Sequence, residues 1–222
     1  MATTRTYNEA CGIPRALDRI GERWALMVVR ELVLGPKRFT DLRTGLPHAS
    51  PNVLAQRLKE LEEHGVVRKR KLPPPAASQV YELTDWGHEL ESVLVALGRW
   101  GARAPGPPDG VGMSLDAHIV SLQTLFDPGL ADGLDSRFEL RLGDDRFTVD
   151  VRDGRLAVTR GEPRAPDAVV DTDPGTLLAV IHGHREMGDA QAAGDLRITG
   201  DEEAAARFFR LFPLPEPALQ VA

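Results

Sequence analysis

A single cysteine, Cys11, stands among 222 residues, so no internal disulfide can form. No run of about 18 apolar residues occurs, which excludes a membrane-spanning helix. The opening Met-Ala-Thr-Thr-Arg-Thr-Tyr-Asn-Glu has no apolar signal-peptide core. These lacks together predict a cytoplasmic location and no membrane contact. No Gly-rich phosphate loop and no Ser/His/Asp constellation is present, so no catalytic residue is expected. Histidines include His182-x-His184, but no Cys or carboxylate stands at ligand spacing, so neither a metal nor another cofactor is expected. Asp144-Asp145 and Glu202-Glu203 suit a turn and a helix start, where the helix dipole favours carboxylates, rather than an acid/base pair.

Charge is present but uneven. Residues 1–104 carry 16 Lys+Arg against 12 Asp+Glu, and residues 105–222 carry 11 against 21, within a net charge of −6. A basic half joined to an acidic half predicts two domains with different partners.

The stretch from His48 to Leu83 is the most informative. Ser50 suits a helix N-cap and Pro51 the first helical position, where a missing N–H costs nothing. Gly65 follows the last turn and can take the left-handed conformation. Leu54, Leu58 and Leu61 recur at i, i+4 and i+7, a buried stripe. At about 1.5 Å per residue the helix is roughly 20 Å long, which fits a DNA major groove. A basic hairpin follows, interrupted by Pro73-Pro74-Pro75, which cannot pair as a central strand. Upstream, 14–21, 23–34 and 38–46 read as short helices, with Gly35-Pro36 stopping the second. Trp24, Met27, Val28, Leu32, Phe39, Leu42 and Leu46 face inward. Helix, tight turn, capped helix and basic hairpin read as a winged helix-turn-helix. Asn52, Gln56 and Arg57 are then candidates for base edges, since Asn and Gln suit adenine and Arg suits guanine. Lys37, Arg38, Arg43, Lys59, Arg68, Lys69, Arg70 and Lys71, with Ser50 at the helix N-terminus, are candidates for phosphates. A longer helix over Trp86–Trp100 carries Trp86, Leu90, Val93, Leu94, Leu97 and Trp100 on one wide apolar face, more than a domain of about 100 residues needs to bury.

Four segments together resemble the HxlR-type transcriptional regulators. They are Cys-Gly-Ile-Pro-Arg-Ala-Leu-Asp-Arg-Ile-Gly-Glu-Arg-Trp, Gly-Pro-Lys-Arg-Phe-Thr-Asp-Leu-Arg, Ser-Pro-Asn-Val-Leu-Ala-Gln-Arg-Leu-Lys-Glu-Leu-Glu and Tyr-Glu-Leu-Thr-Asp-Trp-Gly, spread over about residues 8–103. The resemblance implies a homodimer joined through its first and last helices, here Ile13 and Leu17 with Leu90, Leu94, Leu97 and Trp100. It implies two recognition helices in successive major grooves of a double-stranded DNA operator, with wings near the backbone. Cys11 occupies a position where some HxlR-type proteins sense oxidants or electrophiles, and Arg5, Arg15 and Arg19 nearby would favour its thiolate.

Beyond a Pro/Gly-rich linker at 104–112, the pattern becomes helix, meander, helices, late strand. Strands are expected at 137–142, 147–151, 156–159, 168–172 and 195–199, with Asp153-Gly154 as a hairpin turn. Helices are expected at 115–126, from Asp173 through Ile181, over 186–193, and after Gly200. Ala-Val-Val-Asp-Thr-Asp-Pro-Gly-Thr-Leu-Leu and Gly-Asp-Leu-Arg-Ile-Thr-Gly-Asp-Glu-Glu-Ala-Ala-Ala-Arg-Phe-Phe make this half similar to sterol-carrier-protein-like domains. That resemblance implies a five-stranded sheet covered by helices around an apolar tunnel for lipid-like ligands. Phe126, Phe138, Leu140, Phe147 and Val149, with Leu177, Ile181, Phe208, Phe209 and Phe212, are the candidate wall, each of them equally a candidate for plain core.

The expectation is an α+β protein: an N-terminal, mainly helical winged helix-turn-helix domain (1–103), a linker (104–112) and a C-terminal five-stranded sheet covered by helices (113–222). The function expected is a homodimeric, non-enzymatic transcriptional repressor whose operator binding answers to a small apolar or amphipathic ligand. Two alternatives remain open: a thiol switch at Cys11 with a structural C-terminal domain, and a lipid-binding accessory protein.

Overall fold

The computed structural model describes residues 6–106 and 111–218 and divides into two compact units, 1–94 and 95–222. Arg5, and residues 107–110 of the expected linker, lie outside the described residues.

The first unit holds α1 (Gly12–Ile20), α2 (Ala25–Leu32), α3 (Phe39–Gly45), α4 (Pro51–Glu63), an antiparallel pair β1 (Val67–Lys71) and β2 (Gln79–Leu83), and α5 (Asp85–His88). Its core is Val28, Val29 and Leu32 of α2, Leu42 of α3, and Leu54, Leu58 and Leu61 of α4, closed by Val66, Val67, Val80 and Leu83. Trp24 and Met27, expected inside, are half-buried; Trp24 caps α2 with a positive φ of 78°. Lys37 exchanges backbone hydrogen bonds with Tyr81, which adds a one-residue third rung to the hairpin. The Glu31 carboxylate is fully buried and meets Arg30 at 2.8 Å and Lys37 at 2.7 Å, since a buried charge persists only when paired.

The long helix expected over 86–100 is two pieces: α5, and α6 (Leu90–Gly101) after a break at Glu89. Thr84 caps α5 by accepting from Gly87 N, and its hydroxyl donates to Gly65 O. Gly87 is buried so close to the hairpin that a Cβ there would lie 2.1 Å from Val66 O. Gly87→Ala is therefore expected to lower the melting midpoint of the first unit, at the cost of about 1–3 kcal/mol typical of overpacking. Thermal denaturation with and without the substitution measures it, and an unchanged midpoint would refute the contact.

The division between units falls inside α6. The last turns of α6 bond locally within the second unit. The Arg99 guanidinium donates to the carbonyls of Thr124 and Phe126, which end α7 (Leu115–Leu125). A Cβ on Gly98 would come within 2.9 Å of the Thr124 side chain. Arg103 also exchanges hydrogen bonds with the chain near its end, through Glu216 O and Ala218 N.

The second unit is built on a sheet ordered β5-β4-β3-β6-β7, from β3 (Ser136–Leu142), β4 (Asp145–Arg152), β5 (Arg155–Arg160), β6 (Ala168–Thr172) and β7 (Leu196–Gly200). Only β3 and β6 run parallel. The β4–β5 hairpin turns at Asp153-Gly154, both at positive φ (50° and 66°), as two-residue hairpins require. Cross-strand register puts Phe138, Leu140, Phe147, Val149, Val158, Ala168 and Val170 on one face, all buried. The alternate residues make a charged face, where Arg137 pairs with Asp150 at 2.7 Å and Arg141 with Glu139 at 2.8 Å. α8 (Pro174–Ile181), α9 (Met187–Ala193) and α10 (Glu202–Phe208) complete the unit, α10 against β6 and β7. The expected α+β class, helical first and five-stranded second, is the observed one. A short 3-10 turn at Pro128–Ala131 and the break at Glu89 were not expected from the sequence.

Candidate nucleic-acid interface

Helix α4 is set by its own residues. Ser50 Oγ accepts from Val53 N at 3.3 Å, and Pro51 occupies the first turn. Gly65 takes a positive φ of 73° just after the helix, and Val66 N returns to Leu61 O. Leu54, Leu58 and Leu61 are buried. Successive helical residues are about 100° apart, so a position two residues from the buried row lies on the opposite side. Asn52, Gln56 and Lys59 occupy that side and are all exposed. Gln56 Nε2 is held toward Glu60 Oε1 at 2.7 Å, which sets its amide in one orientation. Val53, 39% exposed beside Asn52, offers an apolar contact of the kind that thymine methyls accept. Its exposure could have been read from the same helical wheel.

Arg57 departs from the expected base-reading group. It falls only about 60° from the buried row, and its side chain is 13% exposed. The guanidinium is held by Glu60 at 2.7 Å and Glu22 at 3.3 Å, which ties α4 to the end of α1. It is bound to carboxylates rather than presented outward.

The expected phosphate group divides likewise. Lys37 is withdrawn, because its ammonium is committed to buried Glu31 and only 16% of its side chain is exposed. Arg38 is exposed and donates to Ser78 Oγ at 3.0 Å, which links α3 to the hairpin. Arg43 is exposed in the last turn of α3. Lys59 is exposed, with Glu63 3.7 Å away. On the hairpin, Arg68 and Arg70 both reach Glu82, at 2.8 and 2.6 Å, and Lys69 reaches Glu62 at 2.6 Å over the ring of Tyr81. Lys71 is exposed and makes no ion pair among the described residues. Burial pushes the Glu82 carboxyl up, but the hydrogen bonds from Arg68 and Arg70 outweigh it and hold the group below the usual carboxylate range. The Lys69 ammonium is held above its ordinary value by Glu62. Neither Glu62 nor Glu82 figured in the sequence reading, and together they pair with three of the hairpin's four cations, two negative charges against three positive.

Four of the six residues expected at an interface between copies are solvent-facing. On α1, Ile13 is 71% exposed and Leu17 lies one turn on, also exposed. On α6, Leu97 is exposed and Trp100 is 74% exposed, whereas Leu90 and Leu94 are half-buried. Trp86 and Val93 are exposed as well and border a cleft of about 210 Å³ with Ile20 and Leu90. Cys11 is an exposed free thiol at the N-cap of α1 and makes no capping hydrogen bond. Arg19 turns its guanidinium to the Arg15 carbonyl.

In the second unit, five of the ten apolar residues expected to line a tunnel meet ring to ring. Phe208 stacks with Phe138 at 4.8 Å, Phe212 at 5.1 Å and Phe209 at 5.8 Å between ring centres, and Phe126 meets Phe212 at 6.3 Å. All ten, including Leu140, Phe147, Val149 and Leu177, are buried. A cleft of about 500 Å³ lies elsewhere, between the end of α8, the start of α9 and α10, and only Ile181 and Phe209 of the ten border it. Phe126 borders a second cleft of about 330 Å³ with Pro128 and Pro213. Period-two alternation brings side chains to one face but does not say whether their tips meet or leave a hollow.

Residues 19–107 match the family described as HxlR-like helix-turn-helix, and residues 112–221 match the family described as Alkyl sulfatase C-terminal, a different description from the sterol-carrier type expected. Among curated proteins, the chain is 37% identical over 86 residues to the uncharacterized HTH-type transcriptional regulator YvaP of Bacillus subtilis (strain 168), covering 39% of this chain and 80% of that one. It is 34% identical over 96 residues to the HTH-type transcriptional regulator YodB of the same organism, covering 43% and 86%. The solved reduced form of YodB from B. subtilis aligns with a TM-score of 0.39 at 32% identity, over 46% of this chain and all of that one.

Proposed function

Because the chain belongs to the HxlR-like helix-turn-helix family of transcriptional regulators, we propose that it acts as a homodimeric repressor whose C-terminal half binds a small apolar or amphipathic ligand that alters operator affinity. The observation that carries the DNA-binding part is the exposed side of α4. Asn52, Val53, Gln56 and Lys59 face outward from a helix locked at both ends, beside a hairpin rich in Arg and Lys. Two copies would present two such helices to half-sites about one helical turn apart, about 34–36 Å. The outward Ile13, Leu17, Leu97 and Trp100 support pairing of copies, since large apolar side chains in water favour cover. A ligand acts only through its differential affinity for two arrangements of the dimer. Selection of bound duplexes from a random pool is the test. An inverted repeat with that spacing is expected, and a pool with no enriched sequence would overturn the reading.

Glu82 gives a sharper expectation. Phosphates must displace it from Arg68 and Arg70 before those cations neutralise DNA. Glu82→Gln should therefore strengthen binding to every duplex alike and steepen its salt dependence, by up to about 0.9 in log–log slope for each phosphate gained. The sign with pH follows from the lowered Glu82 carboxyl. Its contribution to folding is present above the unfolded-state pKa and is lost as pH falls through the depressed folded value. Binding isotherms over a range of salt concentration measure the first effect, and an unchanged slope in Glu82→Gln rejects it.

A second reading rests on the exposure of Cys11 at the start of α1, the helix that carries Ile13 and Leu17. Oxidation there would disturb the pairing of copies. Cys11→Ser should abolish an oxidant response and leave DNA binding intact, and a response that persists in the variant rules the thiol out.

A further inference from the structure

We propose that Glu60 sets the base preference of Gln56: it holds one N–H of the Gln56 amide, so that one donor and one acceptor remain for the base, which admits adenine and refuses guanine. The assignment deepens the DNA-binding reading above and rests on its placement of Gln56 at a base edge. Gln56 Nε2 donates to Glu60 Oε1 at 2.7 Å, one helical turn on. A carboxylate only accepts hydrogen bonds, so the amide nitrogen must be the end that faces it. The amide oxygen is thereby turned away from Glu60, and one N–H of the two is left over. Glu60 is held in turn. Arg57 Nη2 lies 3.1 Å from Oε1 and Nη1 lies 2.7 Å from Oε2, a two-pronged grip that fixes the carboxylate and balances its charge. Around the helix Glu60 stands about 40° from Gln56 and about 60° from Arg57, between the outward side and the flank.

Adenine and guanine differ at one point in the major groove. Both offer the N7 acceptor, but its neighbour is the N6 donor in adenine and the O6 acceptor in guanine. A glutamine with an uncommitted amide can meet either base, with oxygen and one N–H for adenine or with both N–H groups for guanine. With one N–H committed to Glu60, only the adenine pattern can be met in full. Guanine would have to draw that N–H away and leave a carboxylate oxygen short of a partner where the docked helix excludes water. Glu60 thus penalises the wrong base and adds no contact to the right one. Asn52 lies on the same outward side and has no such holder among the described residues, so the two readers are set differently. The bond between Gln56 and Glu60 spans one turn of one helix and stands without Arg57.

The test is competition binding of the full chain to the duplex selected from the random pool and to its single-base variants. Gln56→Ala and Asn52→Ala each lose discrimination at one base pair, which identifies the pair that each residue reads. At the Gln56 pair the unsubstituted protein should favour adenine over guanine by roughly tenfold. Glu60→Ala should cut that ratio about threefold or more, the weight of a charge-assisted hydrogen bond discounted for exposure, and leave the ratio at the Asn52 pair unchanged. A ratio taken on one sample does not depend on how much of it is folded. Arg57→Ala loosens the same corner but keeps the Gln56 bond, so its ratio should hold. Adding Glu60→Ala to Arg57→Ala should still cut the ratio, which excludes a released Arg57 as the guanine reader. Guanine bound as well as adenine by the unsubstituted protein, an unchanged ratio in Glu60→Ala, or equal relaxation at both pairs overturns the proposal and leaves Gln56 its base. So does a relaxation that Arg57→Ala reproduces by itself, or one that vanishes in the double variant. If Gln56→Ala changes no base preference, the placement of Gln56 at a base edge fails, and the role of Glu60 with it.

Discussion

Phe208→Ala is expected to remove about 3–5 kcal/mol from the stability of the second unit, the usual loss for an aromatic side chain excised from a packed core. Phe208 is fully buried and touches Phe138, Phe209 and Phe212, so three ring contacts disappear together. Edge-on and offset pairs of this kind add about 0.5–1.5 kcal/mol each beyond their buried area. A domain is typically stable by about 5–15 kcal/mol, so the loss is about a fifth of the total or more. Because the protein has two units, a single midpoint would mix two transitions. Amide exchange is the better measurement: β3 and β4 should lose protection while α2 and α4 keep theirs. The size of the effect also decides a structural question. A loss below about 1 kcal/mol would mean that Phe208 borders a hollow, and would restore the tunnel that the sheet's alternation suggested.

Asn52→Ala and Gln56→Ala should each weaken binding to the preferred duplex by roughly 5- to 150-fold, the equivalent of about 1–3 kcal/mol for a bidentate contact to a base edge. Binding to unrelated duplexes should change little, because these side chains carry no charge. The two lie one turn apart on α4, so their effects need not add. Lys59→Ala should behave oppositely: all sequences weaken alike, and the salt slope falls by about 1. Arg57→Ala belongs to neither class. Its guanidinium joins Glu60 and Glu22, so the expected result is a less stable first unit with the base preference retained. Competition binding with single-base variants separates these outcomes, and an unaltered base preference in both Asn52→Ala and Gln56→Ala would remove α4 from the role of sequence reader.

What could be read from the sequence was whatever neighbours in the chain decide. Ser50, Pro51 and the Leu54–Leu58–Leu61 row define α4 within a dozen residues. Asp153-Gly154 defines the β4–β5 hairpin by itself, because both residues accept positive φ. What could not be read depends on partners that are distant in the chain. Glu82 lies 14 and 12 residues from the arginines it pairs with, and Glu22 still farther from Arg57. The last turns of α6 bond through Arg99 to carbonyls 25 and 27 residues away, which no composition shift announces. The break at Glu89 escaped because the apolar row runs past it. Alternation placed the C-terminal phenylalanines on one face correctly, but only their mutual distances distinguish a filled interior from a hollow one.

The strand order β5-β4-β3-β6-β7 leaves two outer edges, one on β5 and one on β7. An open edge is a template on which another chain can extend the sheet, and that is the ordinary route to fibrous aggregates. Here β5 opens and closes with arginine, at Arg155 and Arg160, and β7 carries Arg197. Two copies meeting antiparallel along β5 would bring guanidiniums face to face. Arg155 and Arg197 are charges that disfavour such pairing, whereas the Arg160 guanidinium is already held by Asp116 and Asp145.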